Sequence, residues 1–338
     1  MPGPAITARD LARHLGVSQS MVSRAFSPGA SVAPEMRARI LQSAAEMGYR
    51  PNIIAAALSR RRSSIVGIVM GELSNPFYPA VLEQLTGALG AAGFQPLLFT
   101  VPPGQEADAA LPMLRQYHVD AVVVTAASLS AAGAADWLGD GRSAVLFNRT
   151  AAGEAEPQAI AGTPLPDSVA CDNVAGGHAA AEALLARGRR RLAFVAGRPD
   201  TSTSRERERG FREALQARGL PPPLRADAGD FSYEAGHRVA LDLREADGIF
   251  FANDILALGG LDALRHEMGR RVPEDVSVLG FDDIPMAAWP AYRLSTLRQP
   301  VPAMVARTVD LLRARLAGET DGPRAERLPA ELVERASL

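Results

Sequence analysis

The stretch GVSQSMVSRAF, Gly16 to Phe26, decides how the rest of the chain is read. Gly16 stops whatever helix precedes it, Ser18 is placed to cap a new one, and Val22 and Phe26 recur at the i, i+4 spacing of a buried helical face. Upstream, in TARDLARHL, Thr7 caps a helix and Asp10 lies three residues on, where a capping-box acid belongs, with Leu11 and Leu15 on one face. Helix, tight glycine turn and helix can be no more than a hairpin burying its own stripe. The second helix points further. With Val22, Ala25 and Phe26 turned inward, Gln19, Ser20 and Arg24 project from its N-terminal half, where a recognition helix meets base edges. Gln pairs with adenine and Arg with guanine, each good bidentate contact contributing roughly 1–3 kcal/mol of discrimination. Ser18 and Ser23, beside the helix N-terminus, suit phosphates. A third helix follows, with Pro34 in its first turn, Ile40 and Ala44 on its inner face, and an end near Gly48.

Charge separates this segment from the remainder. In residues 1–62 nine arginines stand against Asp10, Glu35 and Glu46, a net charge near +6, and the chain total of −2 therefore leaves about −8 on the rest. A basic segment ahead of an acidic body is the footprint of nucleic-acid contact. MPGPAITARD has neither a basic n-region nor an apolar h-region, and no apolar run approaches the roughly 18 residues of a membrane span. A cytoplasmic protein with no membrane partner is expected. The single cysteine, Cys171, reads as a small buried residue, and without clustered histidines there is no zinc signature. No cofactor or metal is expected.

Beyond Ser64, apolar strand candidates alternate with helical patterns: IVGIVM, a helix from about Pro79 to Gly93, PLLFTV, a helix ending near His118, DAVVVTA and AVLFNR. A second series runs from about Ser168 through VACDN, RLAFVAG, DGIFFAND and VSVLGFDD, with helices between. Parallel βαβ units in two Rossmann-like lobes are the consequence. Their strands end in polar residues, where ligands bind in open α/β sheets. The Pro/Gly/Ala-rich stretch Ala151 to Pro166 is expected to divide the lobes, and LSTLRQPV to cross back.

The order T-x-x-D-L-A, G-V-S-x-x-x-V-S-R, then G-Y-x-P-N and an Ala-rich segment with Leu, resembles the LacI/GalR family of bacterial transcription regulators. The resemblance covers nearly the whole chain. It implies an α/β protein with an N-terminal three-helix helix-turn-helix headpiece and hinge, followed by a bilobal core like periplasmic sugar-binding proteins. The matching boundaries are 1–48 for the headpiece, 49–63 for the hinge, and 64–338 for the core. Within the core, the N-lobe takes about 64–164 and 299–325, and the C-lobe about 165–298 and 326–338. A homodimer on double-stranded operator DNA is implied, controlled by a small sugar-like effector. The implied DNA-binding set is Thr7, Ser18, Gln19, Ser20, Ser23, Arg24, Asn52, Ala55 and Leu58, with Leu58 as the wedge that kinks the central base step. Effector positions fall on Asn75, Phe77, Asn148, Arg205, Phe231, Asn253, Asp282 and Gln299. Ala33 departs from the family's capping Ser, and Ala56 from its polar hinge residue.

Other classes fit less well. A transport-type sugar-binding protein would share the lobes but not the basic headpiece. For an enzyme, no G-x-G-x-x-G or G-x-x-x-x-G-K-[ST] occurs, and no histidine sits beside a nucleophile motif. Phe77 and Phe231 also suit a core, Asn253 and Asp254 also suit a helix cap, Arg205 also suits a solvated charged face, and Asp283 reads as structural.

Overall fold

In the computed structural model, which describes residues 6–26, 30–49, 63–71, 73–102, 105–125, 129–149, 165–199, 201–319 and 321–338, the chain divides into two units, Met1–Ser64 and Ile65–Leu338. The first begins with α1 (Ala8–Leu15), whose first turn carries the expected capping box. The Thr7 hydroxyl accepts from Asp10 N, and the Asp10 carboxylate accepts from Thr7 N at 3.0 Å. Gly16 ends the helix at φ 65°, a left-handed conformation that costs glycine little. Ser18 caps α2 (Gln19–Ala25) by accepting from Met21 N at 3.2 Å. Helix α3 (Pro34–Met47) starts on Ala33 without a side-chain cap and stops at Gly48, φ 70°. Leu11, Leu15, Val22, Ala25, Ile40 and Ala44 form the core of the three helices. The Arg37 guanidinium donates to Ala25 O and Ala30 O, both at 2.8 Å, satisfying a carbonyl that the end of α2 leaves open. The expected hinge, with Asn52, Ala55, Ala56 and Leu58, lies outside the described residues.

The second unit contains two six-stranded sheets. Its elements are β1 (Ile65–Met70), α4 (Phe77–Ala91), β2 (Gln95–Thr100), α5 (Leu111–Gln116), β3 (Ala121–Thr125), α6 (Ala131–Gly139), β4 (Ser143–Phe147) and β5 (Asp167–Cys171). They continue with α7 (Asn173–Ala186), β6 (Leu192–Ala196), α8 (Ser202–Ala217), β7 (Leu224–Asp227), α9 (Tyr233–Ala240), β8 (Gly248–Phe251), α10 (Asp254–Asp262) and β9 (Ser277–Asp282). The last are β10 (Ser295–Arg298), α11 (Val301–Ala317), β11 (Ala325–Leu328) and β12 (Glu331–Val333). The first sheet has the order β11-β5-β4-β3-β1-β2 and the second β12-β10-β9-β8-β6-β7, parallel throughout except for β12. Strands β3, β4, β6 and β9 are buried along their whole length, as continuous apolar runs in parallel sheets covered by helices should be. Among the described residues no helix is long and apolar enough to cross a membrane.

The lobe boundaries differ from those read in the sequence. Strand β5 pairs with β4 through Phe147↔Val169 and with β11 through Cys171↔Leu328, so 165–171 belongs to the first lobe. Strand β11 belongs there too, and of the segment 326–338 it is β12 that joins the second sheet. The Pro/Gly/Ala-rich stretch therefore separates β4 from β5 inside one lobe. A strand's lobe is set by the partners its backbone pairs with, which a change in composition does not report. The chain crosses between sheets at Asp172, at Gln299–Pro300, and between Leu328 and Glu331.

Candidate functional site

In the first unit, Ser18, Gln19, Ser20, Ser23 and Arg24 are all exposed, while Val22 and Ala25 on the same helix are buried. One face of α2 thus carries a Gln, an Arg and three hydroxyls into solvent. Arg24 Nε donates to Ser20 O at 3.4 Å, which lays the guanidinium along that face. The Ser18 oxygen is spent on its cap, but its O–H can still turn to Ser20 at 2.9 Å or to a phosphate. Thr7 donates to Asp10 Oδ2 at 2.6 Å, so its hydroxyl orients α1.

In the second unit four of the predicted effector residues, Asn148, Asn253, Asp282 and Gln299, lie at the carboxyl ends of parallel strands, as the topology requires. Asp282 ends β9 at φ 119° and is 6 % exposed; Asn148 follows β4 at φ 58° and is buried. Non-glycine residues held in such backbone conformations concentrate at functional sites. Asp282 Oδ1 accepts from Gln299 Nε2 at 2.7 Å and lies 3.5 Å from Arg207 Nη2. Burial lifts the Asp282 carboxyl to about 6, against the opposing pull of the Arg207 charge and the Gln299 hydrogen bond. Asn253 is buried and caps α10, its Oδ1 accepting from Leu256 N at 3.2 Å. Asn75 Oδ1 accepts from Phe77 N at 3.1 Å just before α4, whose N-cap position Pro76 takes. Among the described residues the buried side-chain oxygens without a hydrogen-bond partner are Asn148 Oδ1, Gln299 Oε1 and Thr125 Oγ1, the last at the end of β3 beside β4, and Arg149 Nε, next to Asn148, is a buried donor likewise without one.

The predicted Arg205 and the arginine that reaches Asp282 are two different residues. Arg205 is exposed, donates to Pro199 O at 2.8 Å, and lines a depression of about 600 Å³ against β7, on a face of α8 rich in arginine and glutamate. Arg207 is the buried one, 2 % exposed. Its Nε donates to Asn173 Oδ1 at 2.9 Å, its Nη1 donates to Ala252 O at 2.5 Å, and its guanidinium carbon lies 3.6 Å from the Phe281 ring centre. Helices α7 and α8 approach closely enough to bring it there because of two glycines. A Cβ on Gly177 would meet Arg207 O at 2.2 Å, and one on Gly210 would meet Val174 O at 2.0 Å.

The aromatics divide. Phe77 is buried within the main core and packs edge-on against Tyr78 at 5.3 Å, so it serves as a core residue. Phe231 is half-buried over Gly197, where a Cβ would come within 2.1 Å of its ring. Asp283 is structural, accepting from Arg298 Nε and Arg335 Nη2, both at 2.7 Å. Asp254 is a buried pin that accepts from Thr296 Oγ1 at 2.6 Å and Ile284 N at 2.9 Å. Arg207 and Asn173, linked to Asp282, and Thr125, beside β4, stand among the predicted residues without having been singled out in the sequence.

Residues 7–52 match the family described as bacterial regulatory proteins, lacI family, and residues 181–338 match the periplasmic binding protein-like domain. The transcriptional regulator CelR of Thermobifida fusca is 32 % identical over 338 residues, 95 % of each chain. The chain belongs to the lacI family. The regulator DegA of Bacillus subtilis is likewise 32 % identical, over 98 % of this chain and 97 % of its own. Among solved structures, the lac repressor dimer bound to operator and an anti-inducer shares the fold with a TM-score of 0.85 at 23 % identity, covering 99 % of both chains. A CelR–cellobiose complex has a TM-score of 0.70 at 31 % identity, covering 98 % of this chain and 99 % of that one. This lacI-family chain is a DNA-binding transcriptional regulator, and its family consists of regulators rather than enzymes.

Proposed function

We propose that this regulator is a repressor that binds a palindromic operator as a homodimer and whose grip changes when a neutral, sugar-like molecule occupies the cleft between the lobes. The observation that carries the ligand class is the set of unpartnered buried oxygens. Asn148 Oδ1 and Gln299 Oε1 can only accept, and Thr125 Oγ1 and the Asp282 carboxylate can also accept. Buried acceptors call for donors. A ligand rich in hydroxyls supplies them, whereas a phosphate or carboxylate would set oxygen against oxygen. Arg207 and the Asn253 amide add donors, and Phe231 offers an apolar face. The structure of a relative with cellobiose bound supports the same class.

On DNA, Gln19, Ser20 and Arg24 read base edges while Ser18 and Ser23 hold phosphates. Asn52, Ala55 and Leu58 act in the hinge, with Leu58 as minor-groove wedge. Dimerisation uses the exposed Leu98, Met113 and Tyr117 at the free edge of the first sheet and Trp289 on the second lobe, apolar surface that a lone chain would leave wet. The test is a fluorescence-anisotropy titration of full-length protein on genomic fragments it retains, with cellobiose, ribose and other neutral sugars against gluconate and inorganic phosphate. One neutral sugar should shift operator affinity by roughly 5- to 150-fold. Asp282→Ala should lose that shift and keep DNA binding. A response confined to the anions, or a normal sugar response in Asp282→Ala, would overturn the reading.

A further inference from the structure

Glu206 stands one residue before Arg207 on α8 of the second lobe and is buried, at 7 % exposure. One of its oxygens accepts from Asn173 Nδ2 at 3.0 Å, and Asn173 in turn accepts from Arg207. Its other oxygen lies 3.6 Å from Arg327 Nη2. Arg327 belongs to β11, in the first sheet, with its side chain 42 % exposed. A polar chain thus runs Arg327, Glu206, Asn173, Arg207, Asp282, Gln299. It starts on a first-lobe strand, passes through two second-lobe helices, and ends where the backbone crosses back to the first lobe.

A carboxylate buried to this degree needs a cation beside it. Arg327 supplies that charge from across the lobe boundary, one residue before the crossover that follows Leu328, so the contact depends on how the lobes are disposed about that crossing. We infer that Glu206 is a positioning residue that couples lobe spacing to Arg207: separation of the lobes removes Arg327, and the strain passes through Asn173 to the guanidinium beside Asp282. This rests on the assignment of Arg207 and Asp282 to the effector site, and it adds the means by which occupancy there is felt as lobe movement.

The experiment measures lobe spacing directly, with neither operator nor effector. Full-length protein carries spin labels at Gln84→Cys on α4 and Gln216→Cys on α8, both exposed, while native Cys171 is buried. Pulsed electron–electron double resonance then gives the distance distribution. Arg327→Gln and Glu206→Gln should each raise the ratio of open to closed spacing by about two- to five-fold, the range of a half-exposed ion pair. The double variant should do no more than either single one, and Arg327→Lys should restore the parent distribution. An unchanged distribution in Arg327→Gln, whose edge position leaves the fold intact, or additive effects in the double variant, would overturn the proposal. Failure of the sugar reading would instead appear in the anisotropy titration, as no sugar response there, with lobe spacing behaving as described here.

Discussion

Replacing Arg207 with Met separates the buried arginine from its exposed neighbours more sharply than any other change. The substitution keeps an unbranched side chain, two atoms shorter, and removes its charge and all its donors. Asn173 Oδ1 and Ala252 O lose partners at 2.9 and 2.5 Å, Phe281 loses the cation over its ring, and Asp282 retains the Gln299 amide as its hydrogen-bond donor. Removing one member of a buried ion pair typically costs 3–5 kcal/mol, because the other charge stays buried without compensation. In a unit of this size each kcal/mol lowers the midpoint by roughly 2–4 °C, so Arg207→Met should melt on the order of 10 °C below the parent. Arg205→Met, on the solvated face, should stay within about 0.5 kcal/mol. Calorimetry of the full-length proteins side by side at pH 7 makes the comparison. Equal losses in the two variants, or a loss below about 1 kcal/mol in Arg207→Met, would refute the placement of Arg207.

Arg24→Ala should weaken specific operator binding by roughly 5- to 150-fold, from 1–3 kcal/mol of base contact, while calorimetry finds the core's melting unchanged; a shifted core transition would contradict this. Burial lifts Asp282 from 3.8 to about 6, so between these values the folded state holds a proton that the unfolded chain has released. Stability should therefore fall as pH rises from about 4 to 6, with a slope of up to roughly 1.4 kcal/mol per pH unit from this group. Urea midpoints across that range should lose this component in Asp282→Asn, and an identical slope would contradict it. Gly280→Ala places a Cβ 2.2 Å from Asp254 Oδ1, an oxygen fixed by Thr296, and should cost about 1–3 kcal/mol in urea unfolding; parental stability would show that Asp254 yields. Burial pushes the Cys171 thiol up to about 12, so an aromatic disulfide reagent should leave the native protein unlabelled and react once urea unfolds it.

Local chemistry made the headpiece legible. Thr7 with Asp10, Gly16 and Ser18 each specify a cap or a turn through neighbours within four residues, and all are found where their spacing puts them. The inward-facing arginine differs from the predicted one for a reason of phase. In RERER three arginines alternate, and which one turns inward depends on the helix they occupy. Ser204, Arg207, Phe211 and Ala214 fall at three- and four-residue spacing and are all buried, so the apolar partners Phe211 and Ala214 already pointed to Arg207. Asn173 appeared as one more polar residue after a strand. Its role depends on Glu206 and Arg207, more than thirty residues away, and no local pattern encodes that meeting. The lobe boundary escaped for a related reason, because β5 is held both by β4, the strand before it, and by β11, from near the far end of the chain.

The central claim is sequence-specific DNA binding by the exposed face of α2. The direct measurement mixes purified full-length protein with sheared genomic DNA at about physiological salt, where nonspecific binding weakens, and sequences what is retained, with Arg24→Ala run in parallel. A shared palindrome enriched by the parent and lost with Arg24→Ala is the predicted result. Fragments without any common site, or the same palindrome enriched equally by both proteins, would contradict the account.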